Sequence, residues 1–280
     1  MSSARNSILC PNCRKLISRD ESSCPYCGLI QPALHSKAGK LRNIFFAFGP
    51  VKTIIAVNIV FFALSLILYP QGLFSGGSPF RFLSPSNQSL LLLGATGTFP
   101  VLDLLRLWTL VSASFLHGGI IHLGFNMMAL YQIGPFVLRE YGVHRFVNLY
   151  ILTGVVGFAV SVLAGVRFTI GASACICGLI GAIIYYGKSR GGSYGEAIFK
   201  QTLGWVVGLI ILGFLFPGIN NWAHGGGLAA GIALGWAMGY NDQKPESAWV
   251  KLLAYACILI SAGILLWACL SAILIRVAAH

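Results

Sequence analysis

The sequence has little charge and very few acidic residues. Only 9% of its 280 residues are charged, and seven Asp and Glu residues stand against 19 Lys and Arg residues. Hydrophobic residues make up 56% of the chain, its mean hydropathy is +0.79, and its apolar residues fall into runs long enough to cross a bilayer. This composition predicts an all-α polytopic membrane protein.

The excess of basic residues gives a formal net charge of +12, which in a soluble domain would suggest nucleic-acid binding. Here the Lys and Arg residues flank apolar runs, so we expect them to set the membrane topology and to contact anionic lipid headgroups. The expected partners therefore include the lipid bilayer and exclude nucleic acid.

The scarcity of acids also restricts the chemistry, because none of the seven lies well inside an apolar span: Asp20, Glu21, Asp103, Glu140, Glu196, Asp242 and Glu246. An aspartyl intramembrane protease needs paired acids within the membrane, and a zinc metalloprotease needs an HExxH motif, which the chain lacks. A proton-coupled transporter usually carries an intramembrane acid, and a transporter often has inverted repeats, which are not visible here. A channel or transporter is therefore the less favoured class.

Seven apolar spans are predicted, at about residues 51–69, 107–137, 145–166, 170–187, 198–216, 222–240 and 249–275. We expect residues 70–106 to form an external loop and the glycine-rich residues 187–195 to form a flexible connector. The predicted domains are a zinc-ribbon-like segment (1–30), a basic linker (31–50), a six-helix membrane domain (51–240), and a linker with a seventh transmembrane helix (241–280).

The first 50 residues lack an early apolar core, which argues against a signal peptide. Basic residues cluster before the first span, between the second and third, after the fourth, and before the seventh. This alternation predicts a cytosolic amino terminus. Because no organelle-targeting segment is visible, the expected location is a prokaryotic plasma membrane.

Two CxxC pairs, Cys10 with Cys13 and Cys24 with Cys27, are separated by ten intervening residues near the amino terminus. Four thiolates at this spacing suit a tetrahedral structural zinc site in a segment too short to fold on a core. Two disulfides or four unligated thiols are the alternatives, and a cytosolic location argues against the disulfides.

A second group of polar residues lies within the apolar spans. The fourth span begins with a small-residue turn that contains Ser173, the second carries His122 and Asn126 one helical turn apart, and the sixth carries His224 near its start. The predicted topology places all four in the same leaflet. Small residues recur every four positions in the fourth and sixth spans, so close helix packing would bring His224 toward Ser173.

These residue types suit acyl transfer. A neutral imidazole can take the proton of a serine hydroxyl, and the resulting oxyanion needs donors, which the Ser173 backbone N–H, His122 and Asn126 are able to provide. Since no buried acid is available to orient His224, the residues indicate a Ser-His dyad rather than a triad. The alternative without catalysis is that Ser173 is only a small residue at a helix crossing.

Over about residues 51–240 the sequence resembles the rhomboid family of intramembrane serine proteases. The resemblance rests on three segments in order: Phe115-Leu-His-Gly-Gly-Ile-Ile-His122-Leu-Gly-Phe-Asn126; Gly171-Ala-Ser173 with Gly178-Leu-Ile-Gly181; and Asn221-Trp-Ala-His224-Gly-Gly-Gly. It implies a six-helix core and a serine-type endopeptidase that cleaves membrane-anchored substrates in or near their transmembrane segments. It also implies Ser173 as nucleophile, His224 as base, His122 and Asn126 at the oxyanion, and no cofactor for catalysis.

The sequence departs from the family pattern at several positions. Ala174 follows the serine where the family usually has glycine, Cys177 replaces an aromatic, and Glu140 is displaced by two from the acid usually found at the position of Leu138. The family usually has a tryptophan directly before an arginine that corresponds to Arg106. Here that position is Leu105, and Trp108 comes two residues after the arginine. Ala174 favours the alternative of a weak or inactive rhomboid-like protein that binds membrane clients.

Overall fold

A computed structural model of the chain describes residues 7–10, 15–18, 20–26, 32–70, 83–216 and 218–278, with only the backbone of residues 33–48. The described part is mostly helical, which confirms the predicted all-α class. The chain divides into two compact units, Met1–Pro50 and Val51–His280.

The described part of the smaller unit contains two short strands, β1 (Ser7–Leu9) and β2 (Leu16–Ser18). They pair antiparallel, with Ile8 opposite Ile17. Cys10 and Cys24 are buried with Ile17 in one small cluster, while Cys13 and Cys27 lie outside the described residues. Two three-residue strands bury too little surface to be stable alone, so a fold of this size needs an additional constraint.

Nine α-helices follow in the described residues: α1 (Pro32–Leu68), α2 (Asn87–Leu92), α3 (Thr109–Ser112), α4 (Ile120–Tyr141), α5 (Val143–Leu163), α6 (Ser173–Arg190), α7 (Gly192–Leu215), α8 (Asn221–Met238) and α9 (Ala248–Ala278). A π-helical turn spans Phe99–Asp103, and a 3-10 turn spans Ala113–Phe115. The helical run of α1 is interrupted at Gly49, where φ is 62° and ψ is 157°.

Within the described residues, five helices are long and apolar enough to cross a membrane: the Gly49–Leu68 part of α1, α4, α5, α7 and α9. The predicted fourth and sixth spans are the helices α6 and α8, which do not meet this measure. Each has 18 residues and is therefore about 27 Å long. The protein is thus an integral multi-pass membrane protein in which two shorter helices complete the bundle.

Two predicted boundaries were wrong. The second span was expected to begin at residue 107, but the long helix begins at Ile120, after the short elements 109–115 and Gly119. Apolar Ala113 and Leu116 gave a membrane-like pattern, yet both are fully buried in the protein. The expected connector 187–195 is almost entirely helical, because Gly191, with φ at 66°, alone separates α6 from α7.

The centre of the larger unit is α6, which packs against α4, α5, α7 and α8. Its closest neighbour is α8: a Cβ at Gly227 would overlap the carbonyl oxygen of Ala174, and a Cβ at Gly231 would overlap that of Gly178. Both helices advance by four residues between these contacts, so they run parallel. Their amino termini therefore lie at the same end of the bundle, and their close approach agrees with the packing expected from the small-residue pattern.

At the start of α5, away from the amino termini of α6 and α8, the buried Arg145 holds the linker that precedes α9. The Arg145 guanidinium donates to Asn241 Oδ1 at 3.1 Å and to the Lys244 carbonyl at 2.7 Å. His144 Nδ1 lies 2.6 Å from a Glu246 carboxylate oxygen. This end of the bundle carries ionic contacts, whereas the end with the amino termini of α6 and α8 carries the predicted site.

Candidate active site

Ser173 is the first residue of α6, and the turn before it is held by backbone hydrogen bonds. The N–H of Gly171 donates to the Ala113 carbonyl at 2.9 Å, and Thr169 pairs with Thr96 through two backbone bonds of 2.7 and 3.0 Å. Gly171 has φ at 126°, a conformation that favours glycine. The turn therefore presents a partly exposed Ser173 at the amino end of a buried helix.

The Ser173 backbone N–H belongs to the first turn of α6, whose donors have no intrahelical acceptors. These donors and the helix dipole favour negative charge at this position.

His224 lies in the first turn of α8, and its ring reaches the serine. His224 Nε2 is 2.8 Å from Ser173 Oγ, a hydrogen-bond distance. The other ring nitrogen, Nδ1, is buried and has no hydrogen-bond partner in the described part of the chain. When Nδ1 carries the proton of the neutral ring, Nε2 is free to accept the serine proton.

His122 lies in the first turn of α4, close to the same spot. A Cβ at Gly171 would lie 2.9 Å from His122 Cε1 and Nε2, and 3.6 Å from Ser173 Oγ. His122 Nδ1 accepts a hydrogen bond of 3.4 Å from the backbone N–H of Gly118. In a neutral ring this acceptor role leaves the proton on Nε2, the nitrogen on the side of Gly171 and Ser173.

Asn126 is buried one turn after His122, and its amide is partly engaged. Its Nδ2 donates to the His122 carbonyl oxygen at 3.0 Å. One amide hydrogen is thus used within α4, and the second remains for another acceptor.

His117 packs edge-on against His122, with ring centroids 5.0 Å apart. It is fully buried, and neither of its ring nitrogens has a hydrogen-bond partner among the described residues. His117 therefore packs against the ring of His122 and makes no hydrogen bond to Ser173 among the described residues.

The Ala174 methyl group, which departs from the family pattern, has room in the helix packing. Ala174 is fully buried in a cluster with Ala113, Phe158 and Ala223. A Cβ at Gly157 would lie 3.1 Å from the Ala174 Cβ, so the glycine on α5 leaves space for this methyl group. The extra carbon is accommodated between α5 and α8.

The other departures also have identifiable contacts. Cys177 is buried in the core, one turn beyond Ser173. Glu140 accepts from the Tyr186 hydroxyl at 2.8 Å and from Arg139 Nε at 2.7 Å, at the end of the bundle opposite the site. Arg106 lies 3.5 Å from the Leu91 carbonyl oxygen, within the loop that precedes α4.

Sequence reasoning missed Asn220, which directly precedes α8. Its Oδ1 accepts from the Ala223 N–H at 3.0 Å, and its Nδ2 donates to Ser161 Oγ at 2.6 Å and to Thr169 Oγ1 at 2.9 Å. An Asn directly before an apolar helical run is a recognised helix-start signal, so the capping role was readable from the sequence. The two cross-chain bonds were not.

Comparison with known proteins finds similarity to one family. Residues 105–241 match the family model of the rhomboid domain. Rhomboid protease GluP of Bacillus subtilis (strain 168) is 33% identical over 162 residues, which cover 56% of this chain and 30% of that protein. RHOMBOID-like protein 5 of Arabidopsis thaliana is 37% identical over 161 residues, covering 56% of this chain and 52% of that protein.

A third relative, Rhomboid-like protease 3 of Toxoplasma gondii, is 28% identical over 190 residues, covering 66% of this chain and 71% of that protein. The chain spans only about a third to a half of the length of the Bacillus relative and of the Arabidopsis relative named above. Together these matches support the rhomboid family for this chain, and the matched region contains His122, Asn126, Ser173 and His224. Because similar proteins occur in plants as well as in a bacterium, the prokaryotic location stays a prediction. The cytosolic amino terminus also stays a prediction, since the comparisons do not bear on orientation.

Proposed function

We propose that this protein is an intramembrane serine endopeptidase that cleaves membrane-anchored proteins in or near their transmembrane segments, with Ser173 as nucleophile and His224 as general base. The observation that carries the proposal is the 2.8 Å separation of Ser173 Oγ and His224 Nε2, between two helices that start at the same end of the bundle. The rhomboid relatives include named proteases, which supports a hydrolase of the same kind.

In the acylation step, His224 Nε2 accepts the hydroxyl proton while Ser173 Oγ attacks the scissile carbonyl carbon. Negative charge then develops on the carbonyl oxygen. Its proposed donors are the Ser173 backbone N–H, His122 Nε2–H and the second amide hydrogen of Asn126. His224 next gives its proton to the leaving nitrogen, the C–N bond breaks, and an acyl-enzyme remains.

Deacylation repeats these proton transfers with water. A water molecule loses a proton to His224 and attacks the acyl carbon, and Ser173 Oγ then leaves and recovers the proton. Water must therefore reach the site, and the partial exposure of Ser173, His122 and His224 supports such access. We propose that the site opens toward the non-cytosolic side of the membrane.

A fluorophosphonate probe tests the proposal, because it phosphonylates only an activated serine. The wild-type protein is expected to be labelled, with the modified peptide mapping to Ser173, and Ser173→Ala is expected to remain unlabelled. A non-catalytic protein that binds membrane clients, the alternative suggested by Ala174, would leave wild-type protein unlabelled. The room beside Gly157 for the Ala174 methyl group makes this alternative the weaker one.

We also propose that Cys10, Cys13, Cys24 and Cys27 hold a structural zinc ion. The support is the shared burial of Cys10 and Cys24 beside the β1–β2 hairpin, where four thiolates would suit tetrahedral coordination. Such a metal would stabilise this small unit and take no part in the reaction.

Metal analysis of the purified full-length protein is expected to find about one zinc per chain. The double variant Cys13→Ser/Cys27→Ser is expected to lose it, and the matched variant Cys257→Ser/Cys269→Ser, altered in the apolar helix α9, is expected to keep it. Metal-free wild-type protein, or equal zinc in both double variants, would contradict the site.

A further inference from the structure

Among the described residues, Asn220 links the start of α8, the helix that carries His224, to the segment that leads into Ser173. Its side chain is half-buried and lies between the start of α8, the end of α5 and the residues that lead into α6. It makes no hydrogen bond to Ser173 or to His224 side-chain atoms among the described contacts. Any effect of Asn220 on the positions of Ser173 and His224 must therefore act through the chain segments to which Asn220 is hydrogen-bonded.

Asn220 makes two bonds to its own helix. Its Oδ1 accepts from the Ala223 N–H at 3.0 Å, and its backbone carbonyl accepts from the His224 N–H at 3.1 Å. These bonds cap α8 and fix the first helical turn, which includes the backbone of His224.

The other two bonds leave the helix. Nδ2 uses both of its hydrogens, one to Ser161 Oγ at 2.6 Å and one to Thr169 Oγ1 at 2.9 Å. Ser161 is fully buried near the end of α5, and Thr169 is four residues before Ser173. Because Thr169 is also paired with Thr96, the segment that Asn220 contacts cannot shift independently of the external loop.

These contacts form a short path from base to nucleophile. It runs from His224 through its backbone N–H to Asn220, then through Nδ2 to Thr169, and along four residues to Ser173. Small-residue packing fixes how closely α6 and α8 approach, but a helix packed through glycines can still slide along or rotate about its axis. The bonds of Asn220 oppose both movements at the end of α8 where His224 lies.

We propose that Asn220 is a positioning residue for the reaction: its bridge to Ser161 and Thr169 holds His224 Nε2 within hydrogen-bond reach of Ser173 Oγ. The inference rests on the serine-protease function proposed above. A misplacement of about 1 Å at a reacting group lowers rates by as much as about 100-fold, so loss of the bridge is expected to affect the rate directly.

Three variants separate the bridge from the helix cap. Asn220→Ser keeps a side-chain acceptor for the Ala223 N–H but is too short to reach Ser161 and Thr169. Ser161→Ala/Thr169→Val removes the bridge acceptors and leaves the cap. Asn220→Ala removes both. Ser86→Ala, which removes the corresponding cap bond to the Ser89 N–H at the start of α2, is the matched control.

The measurement is the second-order rate constant for fluorophosphonate labelling of Ser173, together with the fraction labelled at completion. A positioning role predicts that Asn220→Ser and the Ser161/Thr169 variant label to completion about 10- to 100-fold more slowly than wild type, whereas Ser86→Ala keeps the wild-type rate constant. A purely structural role would lower the fraction labelled and leave the rate constant of the folded molecules unchanged.

Wild-type rate constants in both bridge variants would overturn the positioning role, provided that the wild-type protein is labelled in a His224-dependent manner. Restoration of the wild-type rate by Asn220→Ser, with Asn220→Ala still slow, would mean that only the cap matters, and would overturn it as well. Absence of labelling in wild-type protein would instead contradict the protease function itself, so the two failures are distinguishable.

Discussion

Replacing His224 with alanine is expected to lower cleavage of a membrane-anchored reporter protein by about 1,000-fold or more, with little change in the amount of folded protein. The physical reason is that Ser173 Oγ keeps its proton when no base lies within hydrogen-bond reach. In the proposed mechanism His224 is that base, with Nε2 2.8 Å from Ser173 Oγ, and its side chain is partly exposed. The measurement is the rate of reporter cleavage by the purified protein in lipid vesicles.

His144→Ala is the matched control, since it removes a histidine from the opposite end of α5, beside Glu246. We expect this variant to retain reporter cleavage within a few-fold of wild type. Equal losses in the two variants would indicate a general effect on folding, and full activity in His224→Ala would rule out the dyad.

Gly231→Ala is expected to destabilise the folded protein by about 2–3 kcal/mol and to reduce active-site labelling. A Cβ at Gly231 would overlap the carbonyl oxygen of Gly178. This oxygen belongs to the backbone, so the overlap cannot be relieved by a change of side-chain rotamer. The two helices must therefore move apart, and the separation of α6 from α8 controls the distance between Ser173 and His224. Unfolding in detergent, followed by helical signal, measures the change in stability.

Gly225→Ala, on the same helix, is the control for this second prediction. A Cβ at Gly225 would meet nothing within 4 Å, and alanine has a higher helix propensity than glycine. This variant is expected to be as stable as wild type or slightly more stable. If Gly231→Ala is equally stable, the close contact between α6 and α8 is not a determinant of the fold.

Spacing in the sequence was sufficient to predict the central helix pair. Ala174, Gly178, Gly227 and Gly231 repeat at four-residue intervals, and a repeat of this period identifies the face through which helices approach closely. The start of α6 was also predictable, because small residues and a serine precede an apolar run. These are local patterns, and each is read from a few neighbouring residues.

The misread features depend on distant parts of the chain. The segment before α4 looks like a membrane span because its apolar residues Ala113 and Leu116 do not indicate whether lipid or protein buries them. Likewise, the glycines around Gly191 do not indicate that only this residue separates α6 from α7, with positive φ at Gly191 and Gly192. The bonds of Asn220 to Ser161 and Thr169 join positions more than 50 residues apart, beyond the reach of a local pattern.

In the part of the chain that the structure describes, no carboxylate is hydrogen-bonded to His224, and this has a consequence for membrane insertion. No residue of α8 is Asp, Glu, Lys or Arg, and α6 carries its only charges, Lys188 and Arg190, in its last turn. A carboxylate that completed a catalytic triad at the middle of a span would oppose entry of its helix into the bilayer by about 3 kcal/mol. A neutral histidine and a serine oppose it much less. Both helices can thus enter the bilayer without an ionised group at the candidate site, and under the proposed mechanism charge develops there only during the reaction.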